Sequence, residues 1–284
     1  MKFAVTLLLV ALTAVTAFGQ SAPTLRIVTD DPNLPSELYY GDIKVKPLRL
    51  RPGTNERITI DHSDFFIQQH YIDFLGRMPE PGGFQGWMGI LNNCPQGSIA
   101  CDRVEVSSAF FRSDEFQGRR YFVYRFYSTA FGRVPLYNEF IPDARRVSGF
   151  QSDQQLEASK VAFINDFMAR PEFRNKYDSL DAAGYVNTLM NSAGVNLPSK
   201  QQLINELAAG TRTRAQVLRI VAESGEVYTK YYNEAFVVMQ YHGYLRRDPD
   251  ISYLQWIQTM NQNGGDYRVM INGFVNSLEY RNRF

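Results

Sequence analysis

Three histidines and two cysteines are the scarcest reactive groups in this 284-residue chain, and their spacing limits the chemistry open to it. His62, His70 and His242 make no His-Glu-x-x-His pair, and neither cysteine has a histidine nearby in sequence to complete a zinc site. No Gly-x-Ser-x-Gly elbow, glycine-rich phosphate loop or Asp-x-Asp-x-Asp-Gly calcium loop is written in the chain. No cofactor is expected, and no catalytic or metal-binding residue is assigned. Cys94 and Cys101 bracket a Pro/Gly turn, and in an exported chain an even pair so placed reads as a disulfide. Carboxylates remain. A glycosidase pair needs no fixed spacing, so an enzyme or binding protein acting on polysaccharide stays open as the alternative. Against it, Glu115, Glu172, Glu226 and Glu279 recur at one position of a repeated pattern, which architecture explains better than chemistry.

That pattern is helical and occurs in four copies. Phe66, Phe122, Tyr185 and Phe236 each stand thirteen residues before a proline, namely Pro79, Pro135, Pro198 and Pro249. Behind each, mostly apolar residues follow at i+1, i+4, i+5, i+8 and, except in copy three, i+9, with His70 and Gln240 at i+4 of copies one and four; this is the buried stripe of an α-helix. His70 lies on the stripe and is expected to be packed and hydrogen-bonded; His62 precedes the first helix as a candidate cap. His242 falls off the stripe and is expected at the surface. A second amphipathic helix closes each copy before Glu115, Glu172, Glu226 or Glu279, with Ser113, Ser224 and Ser277 placed to cap the next short turn. Between the two lies a middle helix, marked by Phe84 with Trp87 and by Tyr253 with Trp256.

The stripes end at corners. Gly76 and Gly132 suit a left-handed helix stop, and Pro79 and Pro135 prevent the helix from resuming. Arg77 and Arg133 are thereby held at rigid positions. The sequence predicts that Arg77 pairs with Glu115 and Arg133 with Glu172, locking each copy's first helix to its last. Copy three, with Asn196 in place of arginine, should lack the lock.

Gly76-Arg77-Met78-Pro79, Gly82-Gly83, Trp87 and Phe110-Phe111-Arg112-Ser113-Asp114-Glu115-Phe116 together resemble the bacterial domain of unknown function 4214. Copy two repeats the signature at Gly132-Arg133-Val134-Pro135 and Glu172-Phe173. Copy four departs from it at Arg246-Arg247-Asp248-Pro249, and copy three at Val195-Asn196-Leu197-Pro198. That family is found in exported and cell-surface proteins and is distantly similar to the phycobilisome linker domain, an all-helical scaffold. The resemblance implies an extracytoplasmic helical domain with no known activity, so it supplies no catalytic residues.

Residues 1–19 read as a secretory signal peptide, with Lys2, an apolar run and Ala17-Phe18-Gly19 before Gln20. Residues 20–63 read as an extended arm with β-like runs at Thr24–Val28, Ile43–Val45 and Ile58–Ile60. Thirty Lys+Arg against twenty-nine Asp+Glu leave no basic tract, which argues against nucleic acid. Arg119-Arg120, Arg145-Arg146 and Arg246-Arg247 are expected to be solvated or salt-bridged, and Tyr39, Tyr40, Tyr231 and Tyr232 are candidates for a binding face. The expected fold is all-α, with four three-helix units in two paired halves, 64–180 and 181–284. The expected function is a non-catalytic scaffold or adhesion-type module. Its partner would be a protein or polysaccharide of the envelope or extracellular matrix, and its mature chain would lack a transmembrane segment.

Overall fold

The computed structural model describes the backbone of residues 25–28, 37–40 and 43–45, and residues 50–149, 151–262 and 267–284. The signal peptide read at 1–19 lies outside the described residues. The chain divides into two compact units, Met1–Pro47 and Leu48–Phe284.

In the first unit, strands β1 (Leu25–Val28), β2 (Glu37–Tyr40) and β3 (Ile43–Val45) form an antiparallel meander. Leu25 lies opposite Tyr40, and Tyr40 opposite Ile43. Two of the strands fall on the expected β-like runs; β2 was not expected. The third run, Ile58–Ile60, is not a strand. Ile60 is buried in the core of the second unit, so the arm does not extend to residue 63.

The second unit is all-α. Copy one comprises α1 (Ser63–His70), which continues through a π-helical turn (Tyr71–Leu75), then α2 (Pro81–Asn92), α3 (Arg103–Arg112) and the short α4 (Asp114–Gly118). Copy two comprises α5 (Arg120–Phe131), α6 (Tyr137–Arg146), α7 (Asp153–Met168) and α8 (Pro171–Tyr177). Copy three has α9 (Ala182–Ala193), α10 (Lys200–Ala208) and α11 (Arg214–Ala222). Its closing turn runs without a break into copy four as α12 (Gly225–Gln240), extended by a π-turn (Tyr241–Leu245). The fold ends with α13 (Tyr253–Gln262), α14 (Arg268–Asn276) and α15 (Leu278–Arg281). Among the described residues no helix is long and apolar enough to cross a membrane.

Serine caps explain three of the starts. Ser113, Ser224 and Ser277 each accept the backbone N–H three residues on through Oγ, at 3.2, 3.3 and 3.1 Å. The stripes are buried, but α5 is buried on every side from Arg120 to Ala130. Such a helix carries polar groups into the core; Ser128 Oγ and Thr129 Oγ1 have no hydrogen-bond partner among the described residues, whereas its larger hydroxyls need acceptors. Accordingly Tyr124 donates to Glu234 Oε1 (2.7 Å) and Tyr127 to Asp143 Oδ2 (2.7 Å).

The expected division at residue 180 is not a boundary. α5 packs on α9 and α11, joining copies two and three, while α3 packs on α14 and the two π-turns meet, joining copies one and four. One hydrophobic core runs through Leu48–Phe284, because the stripes of sequence-distant copies face each other across it.

Candidate functional site

The corners form as their residues dictate. Gly76 and Gly132 take φ of 68° and 66°, in the left-handed region that glycine enters without a Cβ clash. Arg77 then donates through Nε and Nη2 to both oxygens of Glu115, at 2.7 and 2.6 Å. Its Nη1 reaches Met78 O (3.0 Å) and Glu80 Oε2 (2.5 Å). Arg133 repeats the geometry on Glu172, at 3.2 and 2.9 Å, with Glu139 as its second acid.

A third lock escaped the sequence. Arg247 donates to both oxygens of Glu279 (2.7 and 3.1 Å) and to Asp250 Oδ2 (3.1 Å). It was hidden because Arg246, not glycine, occupies the left-handed position there, at φ 53°. Each locking guanidinium also lies over a ring six residues earlier: Arg77 on Tyr71, Arg133 on Tyr127 and Arg247 on Tyr241, at 4.9, 5.6 and 5.3 Å. Burial opposes the charge of Arg77, but its hydrogen bonds to Glu115 and Glu80 outweigh that and raise its pKa. Burial likewise pushes Glu80 upward, and the Arg77 hydrogen bond brings it below the ordinary range.

A second repeated device closes each copy on itself. Four or five residues after the glutamate, a donor reaches the carbonyls that end the same copy's first helix. Arg120 Nη1 binds Asp73 O (2.9 Å); Lys176 Nζ and Tyr177 OH bind Ala130 O (2.8 and 2.6 Å). Lys230 Nζ and Tyr231 OH bind Ala193 O (3.0 and 2.9 Å), and Arg283 Nη1 binds Tyr244 O (2.7 Å). These donors satisfy carbonyls that a helix C-terminus leaves without partners. The signal was present as Glu, then a basic residue at +4 and Arg, Tyr or Phe at +5. Tyr231, expected on a binding face, is thus a cap, and Tyr232 packs edge-on against Phe111.

At the seam of copies one and four lies the constellation closest to chemistry. The carbonyl of Phe66 accepts from His70 Nδ1 (2.8 Å), which leaves Nε2 as a single acceptor within reach of Ser107 Oγ (2.8 Å) and Tyr244 OH (3.1 Å). A hydroxyl donating to an imidazole is how a serine nucleophile is activated. Here both side chains are sealed in the core, and Nδ1 is held by a backbone carbonyl rather than a carboxylate. Burial pushes His70 down to about 4, so the ring is neutral at physiological pH. The cluster is a polar joint. Beside it Asp73, with 1% of its side chain exposed, accepts both Arg283 Nη1 and Nη2 (3.0 and 2.8 Å) and Arg246 Nη2 (3.2 Å).

The other candidates are placed as follows. Cys94 and Cys101 are disulfide-bonded. His62 makes no side-chain cap to α1; its Nδ1 accepts Thr59 N–H (2.9 Å) instead. His242 is not exposed: only 2% of it is accessible, and it lies between the rings of Tyr137 and Phe140. The π-turn that carries it packs on the π-turn of copy one, and α6 supplies both rings, so the side away from the stripe is covered as well. Of the arginine pairs, Arg119, Arg146, Arg246 and Arg247 are ion-paired, while Arg120 is buried. Burial holds Glu234 above the ordinary carboxylate range, but the charged neighbour acting on it is Lys230, not a second acid as glycoside chemistry would require. Among the described residues no group of His, Cys, Asp and Glu could hold a metal ion.

Locked, self-capped helical corners define an all-α module whose charged residues hold the fold together. Residues 55–120, spanning copy one, match the family described as domain of unknown function (DUF4214). No curated protein and no solved structure matches the chain.

Proposed function

We propose that this chain is an exported, non-catalytic scaffold or adhesion-type module, built as four related helical units that present surface to a protein of the envelope or extracellular matrix. The observation that carries this reading is the fate of the repeated charged residues. At three corners the arginine and its acids are consumed in structural pairs, and the serine–histidine pair is enclosed in the core. Export is supported by the leader-like run at 1–19 and by the Cys94–Cys101 disulfide, a bond that persists in oxidising compartments.

The test is co-sedimentation of the purified protein with envelope fractions, before and after protease treatment of the fraction. Retention that disappears with the protease supports the scaffold reading. Retention on purified envelope polysaccharide, with release of new reducing ends, would overturn it in favour of an enzyme acting on polysaccharide.

A further inference from the structure

Copy three keeps the acid of the lock and lacks its base. Glu226 stands where Glu115, Glu172 and Glu279 stand, but Asn196 replaces the arginine, and Met190 replaces the tyrosine beneath it. Val195, Asn196, Gly225, Glu226, Thr229 and Lys230 line an open pocket at this corner. Lys230 does not turn to the acid; its Nζ is engaged by Ala193 O (3.0 Å) and Gly194 O (2.7 Å). Among the described residues no side chain is hydrogen-bonded or ion-paired to Glu226, and it is exposed.

We infer that this corner receives an arginine side chain from a protein partner, completing between molecules the pair that the other three corners complete within one. The required chemistry is visible in the same chain. Three times, Nε and Nη2 of a guanidinium meet the two oxygens of the equivalent glutamate side-on. That fork matches arginine and not the point charge of lysine. The second acid of the other corners is Glu80, Glu139 or Asp250; here the positions one and four past the proline hold Ser199 and Gln202. With one carboxylate instead of two, the contact is weak and reversible by itself and serves a wider interface.

This inference deepens the scaffold reading and can fail separately from it. The probe is N-acetyl-arginine amide, titrated into the protein while the backbone amides of Asn196, Gly225 and Thr229 are followed by NMR. Saturable shifts at these amides are expected, at least about tenfold weaker with N-acetyl-lysine amide and in Glu226→Gln. Glu226→Lys should abolish them. Shifts that never saturate, or that survive both substitutions at Glu226, would overturn the arginine site. So would an envelope partner retained equally by wild type and Glu226→Lys, a result that would leave the scaffold reading standing.

Discussion

At the scale of single residues, exposure decides which of the locks contributes stability. The side chains of Arg77 and Glu115 are 10% and 21% exposed, against 33% and 49% for Arg133 and Glu172. A bidentate charged pair shielded from water is worth about 1.5–3 kcal/mol, and a half-exposed one about 0–1 kcal/mol. A double-mutant cycle on Arg77 and Glu115 should therefore show clear coupling, and one on Arg133 and Glu172 little; equal couplings would contradict this ranking. His242 gives a test with a pH sign. Burial and nearby Arg120 push it down to about 3, so below the ordinary histidine value the unfolded chain takes up a proton that the folded chain refuses. Stability should fall as pH drops from about 6.5 toward 4, by about 1.4 kcal/mol per unit for each of His70 and His242. Both ring nitrogens of His242 lack a partner among the described residues. His242→Phe should thus stabilise the protein and remove about half of the histidine-dependent slope in urea melts at pH 6.5 and 5. An unchanged slope would mean that the ring is reached by water.

Among the helices, the two π-turns are the feature that the stripe could not announce. Phe66–Gly76 and Phe236–Arg246 keep the ten-residue spacing of Phe122–Gly132, whose helix has no π-turn, so the turns leave no mark in the spacing. The helices, their serine caps and the glycine corners were legible because each follows from local rules of spacing and backbone freedom. His242 and Asp73 were not, since what covers them comes from copies distant in sequence, and neither was the satisfied amide of Gln240. Gln240, equivalent to Phe126 on the stripe, is fully buried and donates to Phe236 O at 2.9 Å, which polarity alone would not suggest. Gly243 shows the consequence for packing. A Cβ there would lie 2.8 Å from the Phe74 ring, which is itself enclosed. Gly243→Ala should cost about 1–3 kcal/mol as overpacking. Gly273→Ala, in α14 with open space around it, should instead add roughly 0.5–1 kcal/mol through helix propensity. Opposite signs in paired thermal melts are expected; two changes of the same sign would refute the π-turn contact.

For the whole molecule, adjacency in sequence suggested that copies one and two pair, then three and four. Repeats reveal what each unit does to itself, as the locks and end-caps show, but an alignment does not state which units meet. The partners are instead one with four and two with three. His70 bonding to Tyr244, and Asp73 bonding to Arg246 and Arg283, stitch the first copy to the last. The fold should then unfold as one body. In a fragment ending at residue 180, α3 would lose α14, the first π-turn would lose the second, and α5 would lose α9, α11 and α12. Asp73 would remain without Arg246 and Arg283, a buried carboxylate stripped of its counter-charges, which costs about 3–5 kcal/mol by itself. Small domains have margins of about 5–15 kcal/mol, so the exposed stripes and the stranded charge together should leave residues 48–180 without a cooperative fold. Over residues 48–284, far-UV circular dichroism and aromatic fluorescence should follow a single coincident transition in denaturant. A sharp, independent transition in the 48–180 fragment would show that the halves fold alone and that the seam between copies one and four is secondary.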